Sequence, residues 1–336
     1  MLGIDLGATK VVSALVGSDG SIVRHGGRHV HSNNGPDEVI QALVRSGEAC
    51  LEGSPTLRPV AVGVAVAAQV EPRTGMVLHA PNLGWRDVPL VQRVSEGLGG
   101  LPVVVINDAR AATLAEWRFG AGKGVSDLFC MFLGTGVGGS AVVGGRLLEG
   151  GTHALGEVGH ITVSVGGRKC HCPNRGCLEA YVGGWAIAER AQEAIRADPE
   201  AGAALVARAG SARDVTAQTV FQVCRTGDVL SARLVRETER FLADGAVSVA
   251  NAFNPSLLVL GGGLVTGCPS SCRSWKPPFE PAANPRRRWL ASALRALGRT
   301  PRWSVPRKPR AAATGRRPRR RGAELPKAER TPRTIA

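Results

Sequence analysis

The sequence predicts an α/β protein of two related lobes, and three observations carry that expectation. Short runs dense in Val, Leu and Ile at 2–6, 59–66, 102–106, 127–133 and 256–260 read as strands, and the later ones as strands buried on both faces. A strand, a glycine turn and a returning strand occur twice, near residue 5 and near residue 134, as in a repeated unit. Helical stretches alternate with the strands beyond the first three, the order that builds parallel sheets.

Taken in order, 2–6, 10–16 and 21–28 form a β-meander, turned at Gly7-Ala8-Thr9 and at Ser18-Asp19-Gly20. Pro36-Asp37-Glu38 opens a helix with its acids in the first turn, where the helix dipole favours them, and with apolar positions Val39, Ile40, Leu43, Val44 and Leu51. A buried strand over 59–66, a loop at PNLGW (81–85), a helix near 89–98 and a buried strand over 102–106 follow. Asn107 and Asp108 stand where that strand's carboxyl end meets a helix running to about Phe119, and ligands bind at such strand ends. Asp108, opening the helix, is also placed to be its N-cap. The second unit has a strand over 127–133, the turn GTGVGG (134–139) and a strand over 140–143. Helices follow at about 178–196, 214–226 and 229–252, and a last strand at 256–260 ends in Gly261-Gly262-Gly263.

The chain has 336 residues and a formal net charge of +15. Residues 1–263 hold 23 Lys and Arg against 24 Asp and Glu, whereas 264–336 hold 19 against 3, so the whole excess lies past residue 263. The basic balance therefore says nothing about nucleic-acid binding by the body. No apolar run is long enough to span a membrane and no signal-peptide pattern opens the chain, so the body is expected to be soluble and cytoplasmic.

The stretch GEVGHITVSVGGRKCHCPNRGCLE (156–179) is the densest in chemistry. His160, Cys170, Cys172 and Cys177 supply one imidazole and three thiolates, a complete tetrahedral zinc shell with no position left for water, and hence a structural zinc. A disulfide and buried free thiols are the competing readings. A reducing cytosol argues against the first, and three cysteines within eight positions of a Gly-rich polar segment argue against the second. Glu157 and Glu179 flank the cluster, which would fix both carboxylates on one scaffold as substrate ligands.

Three glycine-rich turns, each after a strand, suit a polyphosphate, which needs backbone N–H donors and no side chains in the way. The first, DLGATK (5–10), adds Asp5 for a Mg²⁺ shell and Thr9 and Lys10 for phosphate contact beside Gly7. The second offers Gly134, Thr135, Gly136 and Gly138, and the third Gly261, Gly262 and Gly263. ATP with Mg²⁺ is the expected nucleotide. None of the turns matches the Walker or dinucleotide pattern.

DLGATK (5–10), PNLGW (81–85), NDA (107–109), LGTGVGG (133–139), GEVGH (156–160), CHCPNRGCLE (170–179) and LGGG (260–263) together resemble the ordered motifs of ROK-family sugar kinases, bacterial glucokinases among them. The resemblance covers about residues 1–263. It implies the actin-like ATPase fold (ribonuclease H-like, the hexokinase and Hsp70 superfamily), with a sugar in the cleft between two lobes and ATP across it. It further implies ATP-dependent phosphorylation of a hexose, glucose above all, with N-acetylhexosamines and fructose as alternatives, and a homo-dimer or homo-tetramer. By motif, Asp108 corresponds to the catalytic base, and Asn82, Asn107, Glu157, His160 and Glu179 to sugar ligands, with His160 touching both sugar and zinc. On this reading 1–107 form the N-terminal ATPase lobe with its sugar-binding loops, and 108–263 the C-terminal lobe with the zinc loop and nucleotide site.

Four departures stand out. Ala65 and Ala68 occupy positions where the family commonly has glycine, Arg110 a position where a small or amide residue is usual, and Pro173 the place of a glycine inside the cysteine motif. The largest is the abrupt shift to Arg and Pro at Leu264. It is expected to leave 264–336 disordered, and it reads as a shifted reading frame that would impair activity. A frame-shifted remnant would bind nucleic acid only non-specifically, if at all; the alternatives are a real basic arm that binds nucleic acid or an anionic surface, and a sugar-binding protein or sensor without turnover.

Overall fold

The computed structural model describes residues 1–7, 9–29, 35–52 and 58–267. The expectation for the basic tail lies, beyond Gly267, outside the described residues, as does that for Ala8 in the first turn.

The first sheet has five strands in the order β3-β2-β1-β4-β8. The meander expected at the start is there: β1 (Leu2–Leu6), β2 (Lys10–Val16) and β3 (Ile22–His29) pair antiparallel. Two parallel strands, β4 (Val62–Val66) and β8 (Val103–Asn107), then extend the sheet from β1, so Asn107 is the last residue of its edge strand. Leu2, Ile4 and Leu6 share one face of β1 with Val62, Val64 and Val66 of β4. Over that face pack α1 (Gly35–Glu52) and α2 (Leu90–Gly97) through Val39, Ile40, Leu43, Leu90 and Val94. Alternation of this kind buries one side of each strand and leaves the other for a site.

A three-stranded sheet not expected from sequence lies between β4 and α2: β5 (Gln69–Val70), β6 (Val77–Ala80) and β7 (Trp85–Val88). The PNLGW loop is thus a 3₁₀ turn over Pro81–Leu83 whose last residue, Trp85, starts a strand. The indole of Trp85 is fully buried in the first core and anchors the turn that presents Asn82.

The second sheet runs β11-β10-β9-β12. Strands β9 (Leu128–Leu133) and β10 (Val137–Val143) make the expected pair, β11 (Arg146–Leu147) lengthens it, and β12 (Leu257–Gly261) joins β9 in parallel. Strand β10 begins earlier than expected, so Gly138 belongs to the ladder, opposite Phe132. The helix expected over 178–196 is two helices, α4 (Glu179–Val182) and α5 (Gly184–Ala197), separated at Gly183, whose extended ψ interrupts the coil. A short α6 (Ala203–Ala209) was not legible. Helix α7 (Ala217–Cys224) starts three residues later than expected, because Thr216 and Thr219 form a capping box. The longest helix, α8 (Val229–Phe253), packs against α4 through Leu242 and Ala246, and α9 (Gly263–Gly267) follows β12 where no helix was expected.

Candidate functional site

Helix α3 (Asp108–Arg118) carries the centre of the site. Asn107, not Asp108, is its N-cap: the Asn107 side chain accepts from the Arg110 N–H at 3.2 Å and donates to the Ala68 carbonyl at 3.3 Å. The amide capping α3 thus also ties it to the loop after β4. Asp108 is the first helical residue, and its carboxylate accepts from the Ala109 N–H at 2.8 Å.

Four carboxylates converge here. The Asp108 side chain is exposed at the surface of the site, yet the protein around it penalises its charged form and raises its pKa above an ordinary aspartate's 3.8. Asp5, on β1, is likewise raised, by burial first and then by the charge of Asp108. Glu157 is raised by burial, with Asp108 and Glu179 adding to it and His160 and Arg110 opposing. A pair of facing acids such as Asp5 and Asp108, held near each other, suits a divalent cation. In the first turn the Gly7 N–H donates to the Lys10 carbonyl at 2.9 Å, and the side chains of Thr9 and Lys10 are exposed.

His160 faces two ways. Its Nδ1 lies 3.6 Å from Cys170 Sγ, and its Nε2 lies 4.0 Å from Glu157 Oε2. Cys172 Sγ and Cys177 Sγ are also 3.6 Å apart and unbonded, so the cysteines are free thiols. All four donor atoms lie within 4.8 Å of one another. A tetrahedral ion with bonds of about 2.3 Å to sulfur and about 2.0 Å to nitrogen needs donor separations of about 3.5 to 3.8 Å. The donor set therefore fits a metal of zinc's size and ligand taste. Burial, with the neighbouring sulfurs, pushes the Cys177 thiol up to about 12, the strain a bound cation relieves.

Glu179, expected as a sugar ligand, is also hydrogen-bonded within the protein. Its Oε2 accepts from the Val137 N–H at 2.8 Å and its Oε1 from the Trp185 indole at 3.2 Å, so it links the metal loop to the GTGVGG turn. Trp185, which sequence reasoning missed, in turn stacks on His171 with ring centroids 3.8 Å apart. The turn itself is closed by the Gly134 N–H on the Gly136 carbonyl at 2.9 Å and presents an exposed Thr135. A Cβ on Gly136 would overlap Glu179 Oε2. Gly136→Ala is therefore expected to break the Val137–Glu179 bond and cost about 1–3 kcal/mol, readable as a lower Tm with a raised hexose KM. An unchanged Tm would mean that the turn gives way freely. Gly262, at φ +96°, sets the third turn against the Leu133 carbonyl, where any side chain would collide, and Gly261 pairs with Phe132 near the end of β9.

Asn82 sits on its exposed turn, and no hydrogen bond among the described residues ties it to the carboxylates. An open groove of ≈ 950 Å³ runs along the metal loop, lined by Cys170, His171, Cys172, Pro173 and Trp185, with Arg168 engaged by Glu189 and Glu193. It contains none of the converging acids.

The two sheets, each with a glycine turn between its first two strands, have the actin-like ATPase fold. The chain belongs to the ROK family, which it matches over residues 1–268. It is 34% identical over 264 residues to a glucokinase of Streptomyces coelicolor, covering 78% of this chain and 81% of that one. It is similar to the crystal structure of a ROK family glucokinase from Streptomyces griseus in complex with glucose and AMPPNP, at TM-score 0.71 and 34% identity, over 80% of this chain and 84% of that one. A putative xylose repressor of Caldicellulosiruptor is more distant, at 28% identity over 78% of this chain and 65% of its own length.

Proposed function

We propose that this protein is an ATP-dependent hexose kinase that phosphorylates glucose on its 6-hydroxyl. The observation that carries the reading is Asp108: a desolvated carboxylate at the head of α3, beside Glu157 and Asp5, in a chain one-third identical to glucokinases. A sugar hydroxyl is a poor nucleophile. Asp108 accepts its proton as the 6-oxygen attacks the γ-phosphorus in line, and ADP leaves. Asn107, Glu157, His160 and Asn82 are the groups to hold and orient the remaining hydroxyls, while Glu179 steadies the turn at 134–136 and keeps acceptor capacity toward the sugar. The backbone of residues 7–10, 134–138 and 261–263 is suited to the phosphates and nucleoside. Asp5 would hold Mg²⁺, which when bound would neutralise charge on the phosphates. Zinc at His160, Cys170, Cys172 and Cys177 is structural. A cytoplasmic location and a homo-oligomer complete the reading.

Because the base works only when ionised and its pKa is raised, activity is lost on acidification at a higher pH than for an ordinary aspartate. The acid limb of kcat/KM is therefore expected above pH 3.8. It should persist in Glu157→Gln, which removes one of the two other raised acids of the site. A limb at or below the ordinary value would dismiss Asp108 as the desolvated base. The substrate itself is tested by incubating the full chain with ATP, Mg²⁺ and a panel of hexoses, followed by ³¹P NMR of the products. The expected product is the 6-phosphate, formed most efficiently from glucose. Preference for an N-acetylhexosamine or fructose would move the assignment within the kinase class. The similarity to a xylose repressor supports a second reading, sugar sensing without turnover; it predicts sugar binding and no phosphorylated product.

A further inference from the structure

Arg110 is a costly way to fill space. It is 4% exposed, two residues after Asp108 on α3, in a position where the resemblance calls for a small or amide side chain. A buried guanidinium loses hydration that an apolar side chain would not have to give up. Burial accordingly lowers its pKa, and Glu149 and Glu157 offset this only through space, for Arg110 makes no direct ion pair among the described residues. Its Nε is buried without a hydrogen-bond partner.

What it grips is distant in sequence and confined to one segment. Nη2 donates to the Glu149 carbonyl at 3.0 Å and to the His153 carbonyl at 2.6 Å. That segment needs holding. His153 takes φ +56°, a conformation uncommon outside glycine, and the other tether across to the first sheet's side is Gln69 Nε2 on the Thr152 carbonyl at 2.7 Å. The strap runs directly into Gly156, seated against the Gly139 carbonyl, and then into Glu157. A methionine of similar volume would pack, but it has no fork of donors to hold two carbonyls at once.

We infer that Arg110 is a positioning residue for the hexose site: it clamps the strap of residues 149–153 to the helix that begins at Asp108, so that Asp108 and Glu157 keep one separation. This rests on the hexose-kinase reading for what the site holds, and on the contacts above for the clamp itself.

The test compares the full-length wild type with Arg110→Met and Arg110→Lys. Three quantities are read: hydrogen exchange over residues 149–155, glucose affinity by tryptophan fluorescence, and the separate KM values for glucose and ATP. For Arg110→Met the strap should lose protection, glucose affinity and KM should weaken about ten- to a hundredfold, and the KM for ATP should hold. Arg110→Lys, which keeps a charged donor able to reach a carbonyl, should recover part of both, and it provides the folded comparison if the methionine variant does not fold. Unchanged exchange over the strap overturns the clamp. Lost protection with an unchanged glucose KM, or equal rises in both KM values, would make Arg110 a packing residue and overturn its positioning role. If the wild type neither binds nor phosphorylates glucose, the kinase reading falls and takes the site assignment with it, whereas the exchange comparison still decides whether Arg110 clamps the strap.

Discussion

Asp108→Asn should lower kcat by about 10²- to 10⁴-fold while glucose affinity stays nearly constant. The amide is the same size and keeps the acceptor that takes the Ala109 N–H, so the start of α3 is undisturbed. What it loses is the ability to take a proton. Asn107, which caps the helix independently, keeps Ala68 and Arg110 in place in the variant. The separation of kcat from affinity is therefore the informative part. A parallel loss of both would point to a collapsed site, and near wild-type turnover would mean that another base operates.

The second large effect is expected at the metal cluster. Cys172→Ser should abolish stoichiometric zinc, lower Tm, and raise the glucose KM without an equal rise for ATP. The reason is the two-faced imidazole of His160: Nδ1 points at Cys170 and Nε2 at Glu157, so the ion that fixes one nitrogen orients the other. Glu179 follows Cys177 by two residues and would lose its footing on Val137 and Trp185. Metal analysis of the wild type should find one zinc per chain. Its absence from protein with reduced, intact cysteines would remove this account of the loop.

How much of this was legible in sequence depended on how local the cause was. Strands with strong apolar runs and turns marked by glycine appeared close to where expected, as β1, β2, β8, β9 and β12 show. The sheet of β5, β6 and β7 did not, because strands of two to four residues carry too little periodicity. The break at Gly183 was hidden for a different reason: Ala, Val and Ile on both sides continue the helical pattern across it. Asp108 and the four metal ligands could be named because motif and spacing are written in the chain. Asn107 as the cap, Glu179 as a brace and Arg110 as a clamp could not, since their partners lie between 3 and 43 residues away and exist only once the chain is folded. Arg110 showed itself in sequence only as an unusual residue after NDA. The basic segment that dominates the net charge lies mostly beyond the described residues.

The most direct test of the central claim is a coupled ADP-release assay on the full 336-residue chain with ATP and Mg²⁺, with and without glucose, run beside Asp108→Asn. The account predicts ADP release that depends on glucose in the wild type and falls to background in the variant. ADP release that ignores glucose, or that survives in Asp108→Asn, would contradict it.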